Sequence, residues 1–283
     1  MSEQRHKWIG RTGWKRLALL AVLLLAGLAL WRYLSRPETI SYKGHTIEVR
    51  RNVEKCAHDP QGFVRGENGR ITYEREGKKA RFGVDVSHHQ EEIDWQAAAA
   101  DGVEFAMLRL GYRGYETGRL NQDRFFERNY EEARKAGIQV GVYFFSQAVN
   151  PGEAAQEAEF VLDVLKGRPL DYPVVFDWET IHHSKDPRTL YVNEEEMTDL
   201  AKAFVERIRK DGTYEPMLYF NPLMGYLGYD LGKLEDVDYW LARYDNDPDF
   251  YYDYALWQYS HTGQVDGIQG DVDLNLDLRP VKK

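Results

Sequence analysis

Val174-Val175-Phe176-Asp177-Trp178-Glu179 is a short apolar run that ends in two acidic side chains. It is the fourth of eight such runs, at residues 82–87, 105–111, 140–146, 174–179, 217–221, 239–244, 255–259 and 272–276. Helical stretches separate the first five runs, at residues 94–100, 123–136, 152–166 and 193–210. Strands that alternate with helices imply a parallel sheet, and eight such strands suggest a closed barrel. The last three runs have little helix between them, so the sequence predicts an α/β fold: an irregular β/α barrel of about five β/α units followed by three strands.

The overall composition excludes several classes of protein. The 283 residues are 43% hydrophobic and 13% aromatic, which is enough to build a core and argues against global disorder. A net charge of −9 argues against a nucleic-acid partner, because nucleic-acid-binding proteins present a basic surface to phosphates. The single cysteine, Cys56, excludes a disulfide framework and a cysteine-based zinc site, and we expect it to be a buried thiol.

The N-terminal region has the features of a membrane segment. Seven Lys or Arg and one Glu give residues 1–36 a charge of +6, and residues 17–31 form an uncharged run, LALLAVLLLAGLALW. The sequence therefore predicts a basic cytoplasmic tail at 1–16 and a transmembrane signal-anchor helix at 17–34, with the rest on the extracytoplasmic side of the cell membrane as a single-pass protein. A cleaved signal peptide is the alternative, although no small-x-small cleavage site follows the run. Residues 35–80 are predicted to form a linker with a small β-hairpin, in which the alternating stretches 46–49 and 71–76 flank the turn at 66–69, and residues 81–283 are predicted to form the barrel domain.

Acidic side chains at the ends of three predicted strands are candidates for catalysis, because barrel enzymes place their working residues at the C-terminal ends of strands. Asp177 and Glu179 are two residues apart, so on a strand they point to the same face with Cα atoms about 7 Å apart. Neighbouring carboxylates repel, so one group can stay protonated near neutral pH, as protonation of a glycosidic oxygen requires. Asp85 lies inside an apolar run, where an unpaired carboxylate is costly, and Asp273 shares a strand face with Asn275. Salt bridges or solvated strand ends are the structural alternatives.

Aromatic and amide side chains accompany these acids and suggest a sugar-binding cleft. Sugars present apolar faces to aromatic rings and hydroxyl groups to polar side chains. The candidates are Tyr112, Tyr143, Tyr219, Trp257, Gln258 and Asn275. The pairs His88-His89 and His182-His183 do not indicate a catalytic metal, because adjacent residues on a strand point in opposite directions. We therefore expect neither a metal nor another cofactor in catalysis.

Six segments together resemble glycoside hydrolase family 25, the 1,4-β-N-acetylmuramidases or lysozymes. They are GVDVSHHQ at 83–90 with IDW at 93–95, KAGIQVGVYF at 135–144, DWE at 177–179, LARY at 241–244, LWQY at 256–259 and GDVDLN at 270–275. The resemblance implies that Glu179 is the general acid and that Asp177 is the first acid of the Asp-x-Glu motif. It places Asp85 and Asp273 at the two other acidic positions of that family's site, and makes Tyr143, Tyr219 and Trp257 contacts to the sugar.

The resemblance implies a membrane-anchored peptidoglycan hydrolase that cleaves the β-1,4 bond between N-acetylmuramic acid and N-acetylglucosamine. Its partners are the glycan strands and, through the N-terminal helix, the membrane. The family retains anomeric configuration, and either Asp177 or the N-acetyl group of the substrate attacks the anomeric carbon. A catalytically silent glycan-binding module on the same fold is the alternative function. A chitinase is a third reading, but such enzymes carry further acids before the motif, where this chain has Val174, Val175 and Phe176.

Overall fold

A computed structural model describes residues 11–34, 36–66, 69–181, 184, 188–189, 192–234, 236–244 and 248–279. The chain divides into two units, residues 1–49 and 50–283. The second unit begins before residue 81, so it also contains most of the segment that the sequence analysis assigned to a linker.

The described part of the N-terminal unit contains one helix and one hairpin. Helix α1 (Arg11–Leu34) is followed by strands β1 (Thr39–Tyr42) and β2 (His45–Glu48), which pair in antiparallel orientation. Helix α1 covers the predicted transmembrane segment, but none of the helices in the described part of the chain has the length and apolar composition needed to cross a membrane. The prediction of a transmembrane helix is therefore not supported. Its uncharged run of fifteen residues rises only about 22 Å, against roughly 30 Å of hydrocarbon core.

A small sheet precedes the barrel in the second unit. Its strands β3 (Phe63–Arg65), β4 (Ile71–Arg75) and β5 (Lys78–Lys79) pair antiparallel in sequential order. A hairpin thus lies at the predicted turn, although Glu67 and Asn68 fall outside the described residues. The first strand of this hairpin is β3. The alternating stretch at 46–49, which was predicted to be the first strand, belongs to the hairpin of the N-terminal unit instead.

Eight strands form a closed barrel, as predicted. The barrel strands are β6 (Arg81–Val86), β7 (Phe105–Arg113), β9 (Gln139–Ser146), β10 (Val174–Trp178), β11 (Pro216–Phe220), β12 (Asp238–Ala242), β13 (Leu256–Gly263) and β14 (Val272–Asp277), and β8 (Leu120–Gln122) adds to the edge of β7. Neighbouring strands are parallel from β6 through β13 in sequence order, and β6 pairs with β7. Strand β14 is antiparallel to both β13 and β6, and it closes the barrel between them.

Five helices of the second unit connect the barrel strands from β6 to β12. They are α2 (Trp95–Ala100), α3 (Phe126–Lys135), α4 (Pro151–Leu165), α5 (Glu194–Asp211) and α6 (Pro222–Leu227). Side chains cap several of them: Asn193 accepts a hydrogen bond from Glu196 N at the start of α5, and Asn221 accepts one from Met224 N at the start of α6. The described elements therefore follow the predicted order of five β/α units and three strands.

The interior of the barrel is filled at the N-terminal ends of its parallel strands. Phe105 stacks on Tyr172 with ring centroids 4.6 Å apart, and Met107 and Met217 belong to the same buried cluster. Gly83 is required beside Phe105, because an added Cβ would lie only 2.4 Å from the phenyl ring. This packing leaves the opposite end of the barrel as the place for a cavity.

Candidate active site

The four predicted acidic residues meet at the C-terminal end of the barrel. Asp85 lies near the end of β6, opposite Asp273 of β14, and Asp177 and Glu179 lie at and just beyond the end of β10. They line a cavity of about 250 Å³. The other lining residues are Val86, Ser87, His89, Gln90, Arg109, Tyr143, Phe145, Tyr219, Trp240, Tyr244 and Gln258.

The carboxyl group of Asp85 is fixed by two buried amides. Its Oδ2 accepts hydrogen bonds from Gln258 Nε2 at 2.8 Å and from Asn275 Nδ2 at 2.7 Å. Burial, followed by the charge of Asp273, raises the pKa of Asp85 well above its usual value, and the two amides oppose this shift. Asn275 is fully buried behind Asp85, so its position allows it to orient this acid and not to line the cavity.

Aromatic side chains in turn hold the two amides. Gln258 Oε1 accepts hydrogen bonds from the hydroxyl groups of Tyr219 at 2.9 Å and Tyr244 at 2.7 Å. Asn275 Oδ1 accepts one from Trp240 Nε1 at 2.8 Å. The rings that face the cavity are therefore connected through the amides to Asp85, which makes a rigid polar wall.

Asp177 and Glu179 form a pair of neighbouring carboxyl groups. Asp177 is buried, and a side-chain hydrogen bond joins it to Glu179, while its Oδ1 has no hydrogen-bond partner in the described part of the chain. Burial, followed by the charges of Glu179 and Asp85, raises the pKa of Asp177 well above its usual value. Burial of the Glu179 carboxyl in the cavity also raises its pKa, although part of this residue is exposed at the mouth. The pair therefore retains a proton at a pH at which ordinary carboxyl groups have lost theirs.

Gln147 positions the backbone of Glu179. Its Nε2 donates hydrogen bonds to the carbonyl oxygens of Glu179 and Ser146, both at 2.8 Å, and its Oε1 accepts one from the Thr189 hydroxyl at 3.1 Å. Gln147 is fully buried. The sequence analysis did not identify it, although it directly follows the end of β9.

Arg109 places a positive charge beside the carboxyl pair. Its Nε donates a hydrogen bond to Asp123 Oδ2 at 2.8 Å, and its guanidinium also contacts the imidazole of His88. The charge of Arg109 lowers the pKa of Asp177 and so opposes the effect of burial. Arg109 was also missed, although it interrupts the apolar strand β7 and was thus visible as an unusual charge.

Three of the predicted sugar-binding residues do not line the cavity: Trp257, Tyr112 and Asn275, which lies behind Asp85. Trp257 is completely buried on the other face of β13: its indole donates a hydrogen bond to the Arg243 carbonyl at 2.8 Å and packs edge-to-face on Phe63. Because Trp257 and Gln258 are adjacent on a strand, only one of them can face the interior. Tyr112 lies against the guanidinium of Arg109, 5.2 Å from the ring centroid, and does not line the cavity.

Only the first of the two histidine pairs lies within the described residues. His88 and His89 lie with ring centroids 4.1 Å apart, and His89 lines the cavity. His182 and His183 lie outside the described residues.

Asp273 provides a direct test of the electrostatics at this site. Burial, followed by the charge of Glu179, raises the pKa of Asp273 to about 6. An acid whose pKa is raised on folding stabilises the folded state below its unfolded pKa of about 4, and this contribution is lost as the pH rises to 6. Because Asn cannot ionise, we expect Asp273→Asn to gain roughly 1–3 kcal/mol of unfolding free energy relative to wild type between pH 4 and pH 7. Urea unfolding at both pH values measures this.

The matched control for that experiment is Asp271→Asn, which removes an exposed carboxyl two residues away. The difference in stability from wild type should change more between the two pH values for Asp273→Asn than for Asp271→Asn. An Asp273→Asn difference that does not change between the two pH values would show that the folded site does not raise the pKa of Asp273.

This arrangement is suited to acid-catalysed cleavage of a glycosidic bond. The carboxyl pair retains a proton, further acids lie across the cavity, and the rings of Tyr143 and Tyr244 are partly exposed to it. Protonation of the leaving oxygen and stabilisation of a positively charged transition state are the two tasks that glycosidases assign to paired carboxyl groups.

Comparison with known proteins agrees with this chemistry. Residues 84–268 match the family model of glycosyl hydrolases family 25. The chain is 28% identical to YegX of Escherichia coli K12 over 200 residues, covering 69% of this chain and 68% of YegX. It is 27% identical to lysozyme M1 of Streptomyces globisporus over 205 residues, covering 68% of this chain and 66% of that protein. Among solved structures, the spore cortex lytic enzyme SleM of Clostridium perfringens superposes with a TM-score of 0.60 at 25% identity, covering 70% of this chain and 67% of SleM. The matched family model spans most of the barrel and three of its four cavity acids, so the chain belongs to glycosyl hydrolase family 25 and is a glycosidase.

Proposed function

We propose that this enzyme hydrolyses the β-1,4 bond between N-acetylmuramic acid and N-acetylglucosamine in peptidoglycan, with Glu179 as the general acid. The observation that carries the proposal is the position of Asp177 and Glu179 side by side in a cavity that partly exposed aromatic rings also line. The names of lysozyme M1 and of the spore cortex lytic enzyme support the choice of substrate.

The two members of the pair have different roles because their surroundings differ. Glu179 is partly exposed at the mouth, where an oxygen between two sugar units can reach its carboxyl, whereas Asp177 is buried below it. Glu179 donates its proton to the leaving oxygen as the glycosidic bond breaks. Asp177 then lies on the inner side of the anomeric carbon, where it either attacks that carbon or orients the N-acetyl group that does so.

The remaining acids and Arg109 set the charge of the cavity. Asp85 and Asp273 face each other across adjacent strands, and Asp273, with a pKa of about 6, is ionised near neutral pH, so that its negative charge favours the positive charge that develops on the sugar ring. Arg109 limits how far this acidic cluster raises the pKa of Asp177. Tyr143 and Tyr244 offer ring surfaces to the sugars, and Gln258 offers its amide.

Product analysis tests this function. Purified peptidoglycan is digested with the full chain, the new reducing ends are reduced with borohydride, and the products are identified by mass spectrometry. We expect reduced N-acetylmuramic acid at the new ends. N-acetylglucosamine at the new ends would instead make the enzyme a glucosaminidase, and an absence of new ends from folded protein would contradict hydrolysis of this polymer.

We also propose that α1 attaches the enzyme to the cell membrane and that the barrel acts on the extracytoplasmic side, where peptidoglycan lies. Helix α1 leaves large apolar side chains exposed, among them Leu20 at 56%, Leu24 at 74% and Trp31 at 65% of their surface. Large apolar side chains that are exposed together on one helix favour contact with lipid or protein.

Lipid-vesicle sedimentation tests the attachment. The full chain should pellet with vesicles of phosphatidylethanolamine and phosphatidylglycerol, and Leu24→Lys should reduce the bound fraction. Val64→Lys is the matched control, because Val64 is 60% exposed but lies in the second unit. Equal pelleting of Leu24→Lys and wild type would contradict attachment through α1. Protease treatment of intact spheroplasts then reports the side on which the barrel lies.

A further inference from the structure

A mixed cluster of potential metal ligands lies outside the active site. Cys56, His58 and Asp253 each offer one ligand atom, and these atoms lie within 4.8 Å of one another. All three residues are partly buried. A single cysteine excludes only a zinc site that is built from several cysteines. The sequence gives no sign that Asp253 lies beside two residues almost 200 positions earlier.

Backbone pairing between two distant segments assembles the cluster. Cys56 N donates a hydrogen bond to the Tyr251 carbonyl at 2.9 Å, and Asp253 N donates one to the Glu54 carbonyl at 2.9 Å. Between these two hydrogen bonds, Lys55 forms an antiparallel bridge with Tyr252. Main-chain pairing thus holds Cys56 and Asp253 next to each other, without a contribution from their side chains.

The side chains of the cluster include a polar atom that lacks a hydrogen bond. Asp253 Oδ1 is buried and has no hydrogen-bond partner among the described residues, and His58 Nε2 lies 3.3 Å from it. His58 Nε2 also lies 2.9 Å from the Tyr254 carbonyl oxygen. A buried carboxylate oxygen is costly when it is unsatisfied, and a bound cation between sulfur, imidazole and carboxylate removes that cost.

We propose that Cys56, His58 and Asp253 form a binding site for a borderline-soft divalent metal ion, best matched by Zn²⁺. Zinc accepts this set of sulfur, nitrogen and oxygen ligands, and tetrahedral zinc sites separate ligand atoms by roughly 3.3–3.8 Å. The three ligand atoms lie within 4.8 Å of one another, so the most distant pair needs to approach by at most about 1.0–1.5 Å. Binding releases the Cys56 thiol proton to solvent, because the thiolate is the ligand. His58 Nε2, the ring nitrogen beside Asp253, exchanges the proton that it donates to the Tyr254 carbonyl oxygen for the metal, and Nδ1 carries the ring proton instead.

The site lies at the opposite end of the barrel from the catalytic acids. Asp253 precedes β13, which is parallel to its neighbour β12, so it lies near the N-terminal ends of the parallel strands. His58 and Asp253 line a separate cavity of about 680 Å³, from which water can supply a fourth ligand. The metal therefore joins the segment that precedes the β3–β5 sheet to the segment that leads into β13, and it takes no part in glycoside cleavage.

Cobalt spectroscopy on the full chain tests this site, because Co²⁺ replaces Zn²⁺ and a thiolate bound to Co²⁺ gives a near-ultraviolet charge-transfer band. The chain has one cysteine, so such a band in a 1:1 complex can come only from Cys56. We expect the band to saturate at one equivalent of Co²⁺ and to disappear when Zn²⁺ is added. It should be absent in Cys56→Ser, and His58→Ala and Asp253→Asn should each weaken Co²⁺ binding by about tenfold or more.

His45→Ala is the matched control, because His45 is exposed on β2 in the other unit; it should bind Co²⁺ like wild type. A wild-type protein that gives no band would overturn the proposal. Saturation at half an equivalent with dimer formation would also overturn it, because the metal would then join two chains.

Thiol protection tests the same site without any variant, in case a substitution prevents folding. One equivalent of Zn²⁺ should slow the alkylation of Cys56 by iodoacetamide in the native wild-type chain at least tenfold. It should also raise the Tm of wild type and leave that of Cys56→Ser unchanged. An alkylation rate that does not respond to Zn²⁺ would contradict metal binding through Cys56.

Discussion

Glu179→Gln should lower kcat on purified peptidoglycan by about three orders of magnitude, within the range of roughly 10²–10⁴ that general acid catalysis supplies. Glutamine has the shape of glutamate but cannot donate a carboxyl proton to the leaving oxygen. The substitution also removes a charge that raises the pKa of Asp177, whereas burial, the largest cause of that shift, remains. Counting new reducing ends by borohydride reduction and mass spectrometry gives the rate.

The control for this substitution is Glu206→Gln, which makes the same chemical change at an exposed position on α5. It should retain wild-type turnover. Glu179→Gln should still pellet with insoluble peptidoglycan and keep its circular dichroism spectrum, because its backbone position depends on Gln147 and not on its carboxyl group. Turnover within threefold of wild type would remove Glu179 from the mechanism.

Asp177→Asn should lower kcat by about 10²–10³, with a smaller effect on KM. The amide keeps the volume of the buried side chain but cannot carry the negative charge that the transition state needs, whether as nucleophile or beside the N-acetyl group. The alkaline limb of the pH–rate profile, which reports loss of the Glu179 proton, should also shift, because Glu179 loses the hydrogen bond with the Asp177 carboxyl group that lowers its pKa. Asp199→Asn, at an exposed position on α5, is the control.

De-N-acetylated peptidoglycan distinguishes the two roles of Asp177. If the N-acetyl group attacks, wild type should lose most of its kcat on the de-N-acetylated polymer, and Asp177→Asn should add little to that loss. If Asp177 attacks, wild type should keep its rate on that polymer, and Asp177→Asn should be equally damaging on both. A variant that is almost as fast as wild type on both polymers would show that Asp177 is structural.

The barrel could be predicted from the sequence because its strands are short, apolar and separated by helices. All eight predicted runs overlap strands, since burial on both faces leaves a continuous apolar pattern. Helix α6 was not predicted as an element: it has only six residues and begins at Pro222, directly after a strand. The hairpin partner at residues 63–65 was also missed, because the alternation at 46–49 is equally good and only tertiary pairing distinguishes the two.

The site could be predicted in part, through residues whose position on a strand is unusual. Acids at the ends of apolar strands are visible in a sequence, and the structure places Asp85, Asp177, Glu179 and Asp273 around one cavity. Trp257 was misplaced because its strand alternates, and the sequence does not say whether Trp257 or Gln258 faces the interior. The support from Gln147 to the Glu179 backbone depends on contacts between distant segments, which no local pattern encodes.

The antiparallel strand β14, which lies between the first and the seventh strands of the barrel, completes both the barrel and the catalytic cavity. It carries Asp273 into the cavity and Asn275 behind Asp85, and both follow the other seven barrel strands in the chain. A chain in which residues 272–277 have not yet paired has an open barrel, an incomplete acidic cluster and an unsupported Asp85. We therefore expect no hydrolysis until this strand has paired with β6 and β13, because the same pairing closes the barrel and assembles the site.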